Sequence, residues 1–358
     1  MKKLIVLFVG LLVMTSHIKA VPVHENSGIG EMVDSLTRQE MSANGCHRGI
    51  VYVVETKTGR LIAHTSLEGT DCIVPFTDTF YKEADYVQGA VTYLALLSSG
   101  KVTPDTEIDT GNGQYVKPNG ELVRDHNWRR GGYGLISLES VFTHRSIVGY
   151  TQALDLVSGN NMADYFLKRR DYTAGIPETL MGLLTFYNAI ANDGRMVKIC
   201  NPEDSTITVI SEQIASQEHI RMLQQGLEHC VSEGLYKKAG SELIDVAACG
   251  RRLQITETAY RLELCGYFPV KNPQYTIMVV MEKENLPASA GGMCGPLFRR
   301  IVESLLSYIK KELRSTQIKV LIDARGKNGT CEFKGEWIEF GSEKFPDWNA
   351  VVDYLLNT

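Results

Sequence analysis

The sequence predicts an α+β protein built on one antiparallel sheet of about five strands flanked by helices. Two β-rich runs, 48–54 and 60–66, are separated by the turn Lys57-Thr58-Gly59 and predict a hairpin. Three more strand patterns occur late in the chain, at 245–255, 260–268 and 275–282. Because helical patterns fill the region between these two groups, strands from both ends of the chain are expected to share one sheet.

The predicted helices account for most of the remaining sequence. Apolar residues recur at helical spacing in 29–41, 80–99, 137–157, 160–170, 178–193, 211–233 and 295–313. Gly100 and Pro104 mark the end of the second of these helices. The central set, roughly residues 80–240, predicts an all-α subdomain, while the Gly- and Asn-rich segment 105–135 predicts a long ordered loop.

Composition narrows the class of protein. The chain has 358 residues, of which 44% are hydrophobic and 22% charged, so disorder and a multi-span membrane protein are excluded. The net charge is -5 without a basic block, which argues against a nucleic-acid partner. No spacing of His, Cys and acidic residues resembles a metal site, and no cofactor motif is found.

The amino terminus has the pattern of a signal peptide. Met1-Lys2-Lys3 precedes an apolar run, Leu4 to Met14, that is about half the length of a membrane-spanning helix. The sequence therefore predicts a signal peptide at 1–20, a main domain at 21–314 and a small α/β appendage at 315–358. After cleavage, 34 basic and 42 acidic residues remain, a net charge of -8. We expect an exported chain, in the periplasm or cell envelope, with no transmembrane span once mature.

The eight cysteines all lie in the predicted mature chain, where export permits disulfides. Cys46 and Cys72 precede and follow the first hairpin at similar distances from its turn, which predicts a disulfide between them. Cys249 and Cys265 flank a second hairpin and form another candidate pair.

Several short segments, in this order, resemble the transpeptidase domain of penicillin-binding proteins, particularly the cell-division class. The resemblance runs from about residue 29 to 313 and rests on Val54-Glu55-Thr56-Lys57-Thr58-Gly59-Arg60, Gly100-Lys101-Val102-Thr103-Pro104-Asp105-Thr106, Asp125-His126-Asn127-Trp128, Gly131-Gly132-Tyr133-Gly134, Asn188-Ala189-Ile190-Ala191-Asn192-Asp193-Gly194-Arg195 and Gly266-Tyr267-Phe268-Pro269. It implies the penicillin-binding protein/serine β-lactamase fold. It also implies three catalytic motifs: Ser-x-x-Lys on the long helix, Ser-x-Asn on a loop and Lys-Thr-Gly on an edge strand.

The first motif is degenerate. Counting back from Gly100 places its serine on Tyr86 and its lysine on Gly89, and neither can act as nucleophile or base. A second register gives Ala84 and Val87, which are equally inert. A shift of two helical turns finds Thr79-Phe80-Tyr81-Lys82, so Thr79 and Lys82 remain a candidate nucleophile and base.

The other two motifs are degenerate as well. The Ser-x-Asn motif falls on His144-Arg145-Ser146, and the Lys-Thr-Gly motif falls on Ala248-Cys249-Gly250. Only the glycine survives, while Cys249 is a candidate thiol nucleophile. Arg251 and Arg252 follow on the same strand as candidate substrate-binding cations, with solvated strand-edge charges as the alternative.

Three functional hypotheses follow from this pattern. The first is a catalytically inactive transpeptidase-like protein of the bacterial cell envelope that binds peptidoglycan, a peptide or a protein partner. The second is a penicillin-binding D,D-transpeptidase of peptidoglycan synthesis that uses Thr79 and Lys82. The third is an envelope scaffold that acts through residues 315–358.

Overall fold

The computed structural model describes residues 27–69, 71–72, 89–158, 179–201, 206–324, 329–333 and 337–357. The α-helices are α1 (Ser27–Asn44), α2 (Ala90–Ser98), α3 (Leu138–His144), α4 (Ile147–Ser158), α5 (Leu180–Ala191), α6 (Gln217–Ser232), α7 (Gly295–Ala324) and α8 (Trp348–Asn357). The strands are β1 (Arg48–Glu55), β2 (Leu61–Glu68), β3 (Asp71–Cys72), β4 (Glu107–Asp109), β5 (Gln114–Val116), β6 (Leu122–Arg124), β7 (Leu135–Ser137), β8 (Met196–Val197), β9 (Val209–Ser211), β10 (Ala247–Gln254), β11 (Ala259–Phe268), β12 (Tyr275–Glu284), β13 (Cys331–Phe333), β14 (Ile338–Phe340) and β15 (Glu343–Phe345).

One antiparallel sheet organises the fold, with the strand order β10-β11-β12-β1-β2-β3. Strand β12 pairs with β1 along its length, so Glu282 lies opposite Arg48, and strands from both ends of the chain meet at the centre. The predicted α+β class is confirmed. Five of these strands are long, and the two-residue β3 adds a short sixth strand at one edge.

Helices cover this sheet because its central strands are apolar on both faces, as the continuous burial of β1, β11 and β12 indicates. Helix α1 packs on β1 and β2, and the Thr65 hydroxyl donates to Asp34 on that helix at 2.8 Å. Helices α5 and α6 pack on β10 to β12. On α5, the buried Asn188 side chain donates to Thr56 O at 3.0 Å and accepts from Thr276 at 2.9 Å. These bonds fix the helix that lines the candidate site.

The central region is not purely helical, so the expected all-α subdomain is wrong in this respect. Strands β4 and β7, β5 and β6, and β8 and β9 form three two-stranded ribbons there. The ribbon loops need glycine: at Gly132, with φ +73°, a Cβ would lie 2.3 Å from the backbone of Gly113. The single helix expected over 137–157 is interrupted at Arg145, whose φ is +53°.

The chain divides into two compact units, Met1–Val302 and Glu303–Thr358. The division falls within α7, ahead of the domain boundary that the sequence predicts at 314. The second unit has its own small core, formed by Ile338, Phe340, Val351 and Leu355. Among the described residues, no helix combines the length and apolarity needed to cross a membrane. The predicted signal peptide lies outside the described residues.

Candidate active-site cleft

A cleft opens between the start of α2, helix α5 and the strands β10 and β11. Its described lining contains Gly89, Ala90, Val91, Arg145, Leu183, Tyr187, Cys249, Gly250, Arg251, Glu263 and Cys265. Positions from all three degenerate motifs therefore meet in one place. Gly89 comes from the first motif, Arg145 from the second, and Cys249 with Gly250 from the third.

In the register counted back from Gly100, Gly89 stands at the position of the catalytic lysine, and it contributes backbone alone. It precedes α2 with φ +149°, and a Cβ at this residue would meet no atom within 4 Å. A glycine here leaves the cleft open and provides no base. The other candidates of the first motif, Tyr86, Thr79, Lys82, Ala84 and Val87, lie outside the described residues.

Ser146, the last residue of the second motif, has a structural role at the start of α4. It is fully buried, and its hydroxyl donates to Asp125 Oδ2 at 2.7 Å while accepting from the Gly149 N–H at 2.8 Å. The second oxygen of Asp125 accepts from the Val148 N–H at 3.0 Å. Ser146 is thus the N-cap of α4, and its hydroxyl is engaged on both sides.

His144, the first residue of the second motif, contacts residues of its own helix and Tyr133. Its Nδ1 lies 3.0 Å from Thr143 Oγ1 and 3.1 Å from Ser140 O. The ring packs edge-on against Tyr133, with 5.2 Å between the ring centroids. His144 is not among the residues that line the cleft.

Replacing Ser146 by alanine should lower the free energy of unfolding by about 2–3 kcal/mol, because a helix cap and a buried hydrogen bond to Asp125 are lost together. Ser216 is the matched control, since it caps α6 through the His219 N–H at 3.2 Å in an exposed position. Ser216→Ala should cost about 0.5–1 kcal/mol. Urea unfolding of both variants measures the difference, and equal losses would contradict the assigned role of Ser146.

Arg145 joins the second motif position to the third. The partly buried Arg145 donates from its guanidinium to the carbonyl oxygen of Gly250 on β10, which also accepts from the hydroxyl of Tyr236. Burial opposes the charge, yet nearby groups, with Tyr236 first, raise the pKa of Arg145 above its ordinary value. Arg145 therefore places a permanent cation in the cleft wall.

Cys249 occupies the position aligned with the hydroxyl residue of the third motif. It is 1% exposed, and the ladder between β10 and β11 places it directly opposite Cys265. Both are free thiols. The neighbouring Ala248 is fully buried and offers no cation in place of the family's lysine.

The two arginines of β10 have different environments because successive residues of a strand point to opposite faces. Arg251 lines the cleft and donates to Glu263 Oε2 at 2.6 Å, in a pair that is almost fully buried. Arg252 is exposed, donates to Ala288 O at 3.2 Å and lies over the ring of Tyr260. Of the two predicted cations, only Arg251 is in position to meet a ligand in the cleft.

The predicted disulfide between Cys46 and Cys72 is not formed. Cys46 is a free thiol whose sulfur lies 3.9 Å from that of Met281. Strand β2 lies between β1 and β3, so Cys72 pairs with Leu67 and is two strands away from β1. Two strand spacings, about 9–10 Å, exceed the Cα separation that a disulfide spans. Within the described residues, no group of three or more potential ligands could hold a metal ion.

Several cleft residues were not identified from the sequence. Tyr187 comes from α5, Glu263 from β11, and Tyr236 lies behind Gly250. Glu263 could have been found from hairpin register, since it lies opposite Arg251 in the ladder. The others belong to elements distant in sequence, and no local pattern indicates their position.

Comparison with known proteins agrees with this geometry. Residues 158–303 match the sequence model of the penicillin binding protein transpeptidase domain. The transpeptidase domain of Burkholderia pseudomallei penicillin-binding protein 3 superposes with a TM-score of 0.63 at 19% identity, over 79% of this chain and 95% of that one. A Burkholderia ambifaria peptidoglycan glycosyltransferase gives 0.64 at 19% identity, over 80% and 96%. Penicillin-binding protein 3 of Mycobacterium tuberculosis gives 0.61 at 18% identity, over 79% and 78%.

A short stretch has a different relative. Over 37 residues, the chain is 63% identical to a putative 5'(3')-deoxyribonucleotidase of Vibrio phage KVP40. That stretch is 10% of this chain and 22% of the phage protein. The structural matches, in contrast, span about four fifths of the chain. Residues 158–303 therefore match the penicillin-binding protein transpeptidase domain in sequence, and the chain has the fold of such transpeptidase domains.

Proposed function

We propose that this chain is a transpeptidase-fold protein of the cell envelope that binds a peptide in its cleft without forming a serine acyl intermediate. The observation that carries the proposal is the composition of the cleft. At the motif positions stand Gly89, Arg145, Cys249 and Gly250, in one continuous lining.

The described cleft residues lack the parts that serine acyl transfer needs. A serine nucleophile requires a base within hydrogen-bond reach, and Gly89 has no side chain to supply one. Ser146 does not line the cleft, and its hydroxyl bonds Asp125 and the Gly149 N–H instead. The cations in the described lining are Arg145 and Arg251, and a guanidinium does not act as a base near neutral pH.

The same lining suits recognition of a carboxylate. Guanidinium groups pair with carboxylates in a planar, directional way. The described lining holds two of them, Arg145 and Arg251, against one carboxylate, Glu263, which pairs with Arg251, so the lining carries one more cation than anion. We infer that the occupant is the carboxylate end of a peptide, as in a peptidoglycan stem peptide.

Incubation of the purified full-length protein with a fluorescent penicillin should leave no covalently labelled band on a denaturing gel. The physical reason is that the described cleft lining offers neither a serine nor a side-chain base to activate one. Labelling that Thr79→Ala abolishes would contradict inactivity and favour the Thr79–Lys82 transpeptidase. Labelling that persists in Thr79→Ala would contradict both the inactive-protein hypothesis and the Thr79–Lys82 transpeptidase hypothesis.

Binding is tested by titrating a stem peptide that ends in a carboxylate and the same peptide ending in an amide. The carboxylate form should bind at least about tenfold more tightly, the worth of one good charge-assisted hydrogen bond. Arg251→Gln should remove this preference, whereas Arg252→Gln, outside the cleft, should keep it. Equal binding of the two peptides would refute carboxylate recognition.

A further inference from the structure

The ribbon of β5 and β6 has one face against the protein and one face in solvent. Helix α4 packs on β6, Val123 is buried, and the hydroxyl of Tyr115 donates to Asp155 on α4 at 3.3 Å. Tyr115 and Val123 lie opposite each other in the ladder, so both belong to the inner face. Because successive residues of a strand point to opposite faces, the next pair, Val116 and Leu122, points outward. These two residues are 61% and 43% exposed.

Cations border this apolar pair. Arg124 points to the same side as Leu122, two residues before it on β6, and its Nε donates to Gln114 Oε1 at 3.2 Å. The guanidinium of Arg124 lies 4.9 Å from the ring centroid of Trp128, and that of Arg129 lies 5.0 Å from the same centroid. We call Gln114, Val116, Leu122, Arg124, Trp128 and Arg129 the outer ribbon face.

Positive charge on and beside the outer ribbon face is not neutralised by the protein. Three exposed arginines there form no ion pair within the described part of the chain: Arg124, Arg129 and Arg130. The nearby carboxylates are engaged elsewhere, since Glu121 pairs with Lys117 at 3.0 Å and the buried Asp125 accepts from Ser146 at 2.7 Å. A local surplus of positive charge therefore surrounds the apolar pair, although the whole chain has a net charge of -5.

We propose that the outer ribbon face binds the surface of an anionic lipid bilayer. Such a bilayer presents phosphates to the arginines and, just beneath them, an apolar layer to Val116 and Leu122. Tryptophan is enriched at the level of the lipid head groups, between these two layers. A polysaccharide has no apolar layer for the two aliphatic side chains, so the bilayer is the better complement. The proposal does not depend on a ligand in the cleft.

The binding should be reversible and should weaken as salt is added. Two aliphatic side chains bury far less apolar surface than a membrane-spanning helix does. The arginines should each contribute about fivefold to the partition coefficient at low salt. Salt screens this attraction, since the Debye length is about 8 Å at physiological ionic strength.

The test is sedimentation of the full chain with vesicles of phosphatidylcholine, with or without an equal part of phosphatidylglycerol. The wild type should partition more strongly into the anionic vesicles. There, Arg124→Gln/Arg129→Gln should lower the partition coefficient by about 25-fold, and Leu122→Ser should lower it by about tenfold. Arg195→Gln and Leu243→Ser are the matched controls, because they change an exposed arginine and an exposed leucine outside this face, and both should partition as the wild type does.

Trp128 provides a local readout of the same contact. It is one of three tryptophans, so the variant Trp337→Phe/Trp348→Phe leaves it as the sole tryptophan fluorophore. Brominated acyl chains in anionic vesicles should quench its fluorescence, whatever other part of the chain meets the bilayer.

Three results would overturn the proposal. The first is failure to bind anionic vesicles, or equal partitioning into both kinds of vesicle. The second is vesicle-bound protein in which Trp128 is not quenched. The third is binding to purified peptidoglycan, without binding to vesicles, that Arg124→Gln/Arg129→Gln removes; this would assign the outer ribbon face to a polysaccharide.

Discussion

Replacing Glu282 by glutamine should lower the free energy of unfolding by about 3–5 kcal/mol. Glu282 lies on β12 between two cations, 2.7 Å from Arg261 on β11 and 3.2 Å from Arg48 on β1. The side chains of Glu282 and Arg261 are 5% and 8% exposed. Glutamine keeps the shape but removes the charge, which leaves a buried guanidinium without compensation.

Glu212 on β9 is the control for this substitution. Its carboxylate lies 3.1 Å from Arg195, but its side chain is 77% exposed and that of the arginine 40%. Water screens such a pair, so Glu212→Gln should change the free energy of unfolding by at most about 1 kcal/mol. Chemical denaturation of the two variants gives the comparison. Equal, small losses would show that the Arg48–Glu282–Arg261 contacts contribute little.

Much of the sheet could be predicted because its pattern is local. The long strands start and end within about two residues of their predicted bounds, since β-branched runs and turn residues mark them. The register and order of the strands were harder to predict from the sequence. The Cys46–Cys72 disulfide failed because the chain forms β3 after β2, and a two-residue strand has no sequence pattern of its own.

The sequence predicted which residues form the candidate site but not which contacts they make. Alignment of the motifs identified Gly89, Cys249 and Gly250, and these residues share one cleft. The bond from Arg145 to Gly250 joins residues 105 apart in sequence. The bond from the Tyr236 hydroxyl to the Gly250 carbonyl likewise depends on how the segment after α6 lies on β10, which helical periodicity does not specify. Periodicity gives the buried face of a helix, and tertiary packing decides which strand residue that face meets.

Replacing Gly250 by alanine should lower the free energy of unfolding by about 2–3 kcal/mol. A Cβ at this residue would lie 2.3 Å from Glu263 O and 3.2 Å from Leu264 Cα, both in the backbone of the adjacent strand. That strand cannot rotate away as a side chain can, so β10 and β11 must separate. The carbonyl of Gly250, which accepts from Arg145 and Tyr236, moves with β10.

The same substitution at Gly30 should act in the opposite direction. Gly30 lies in α1 with no atom within 4 Å of the added Cβ, so alanine should stabilise the protein by about 0.5–1 kcal/mol through helix propensity. Urea unfolding of the two variants measures the difference. A Gly250→Ala protein with normal stability would mean that the close approach of β10 to β11 does not hold the cleft wall in place.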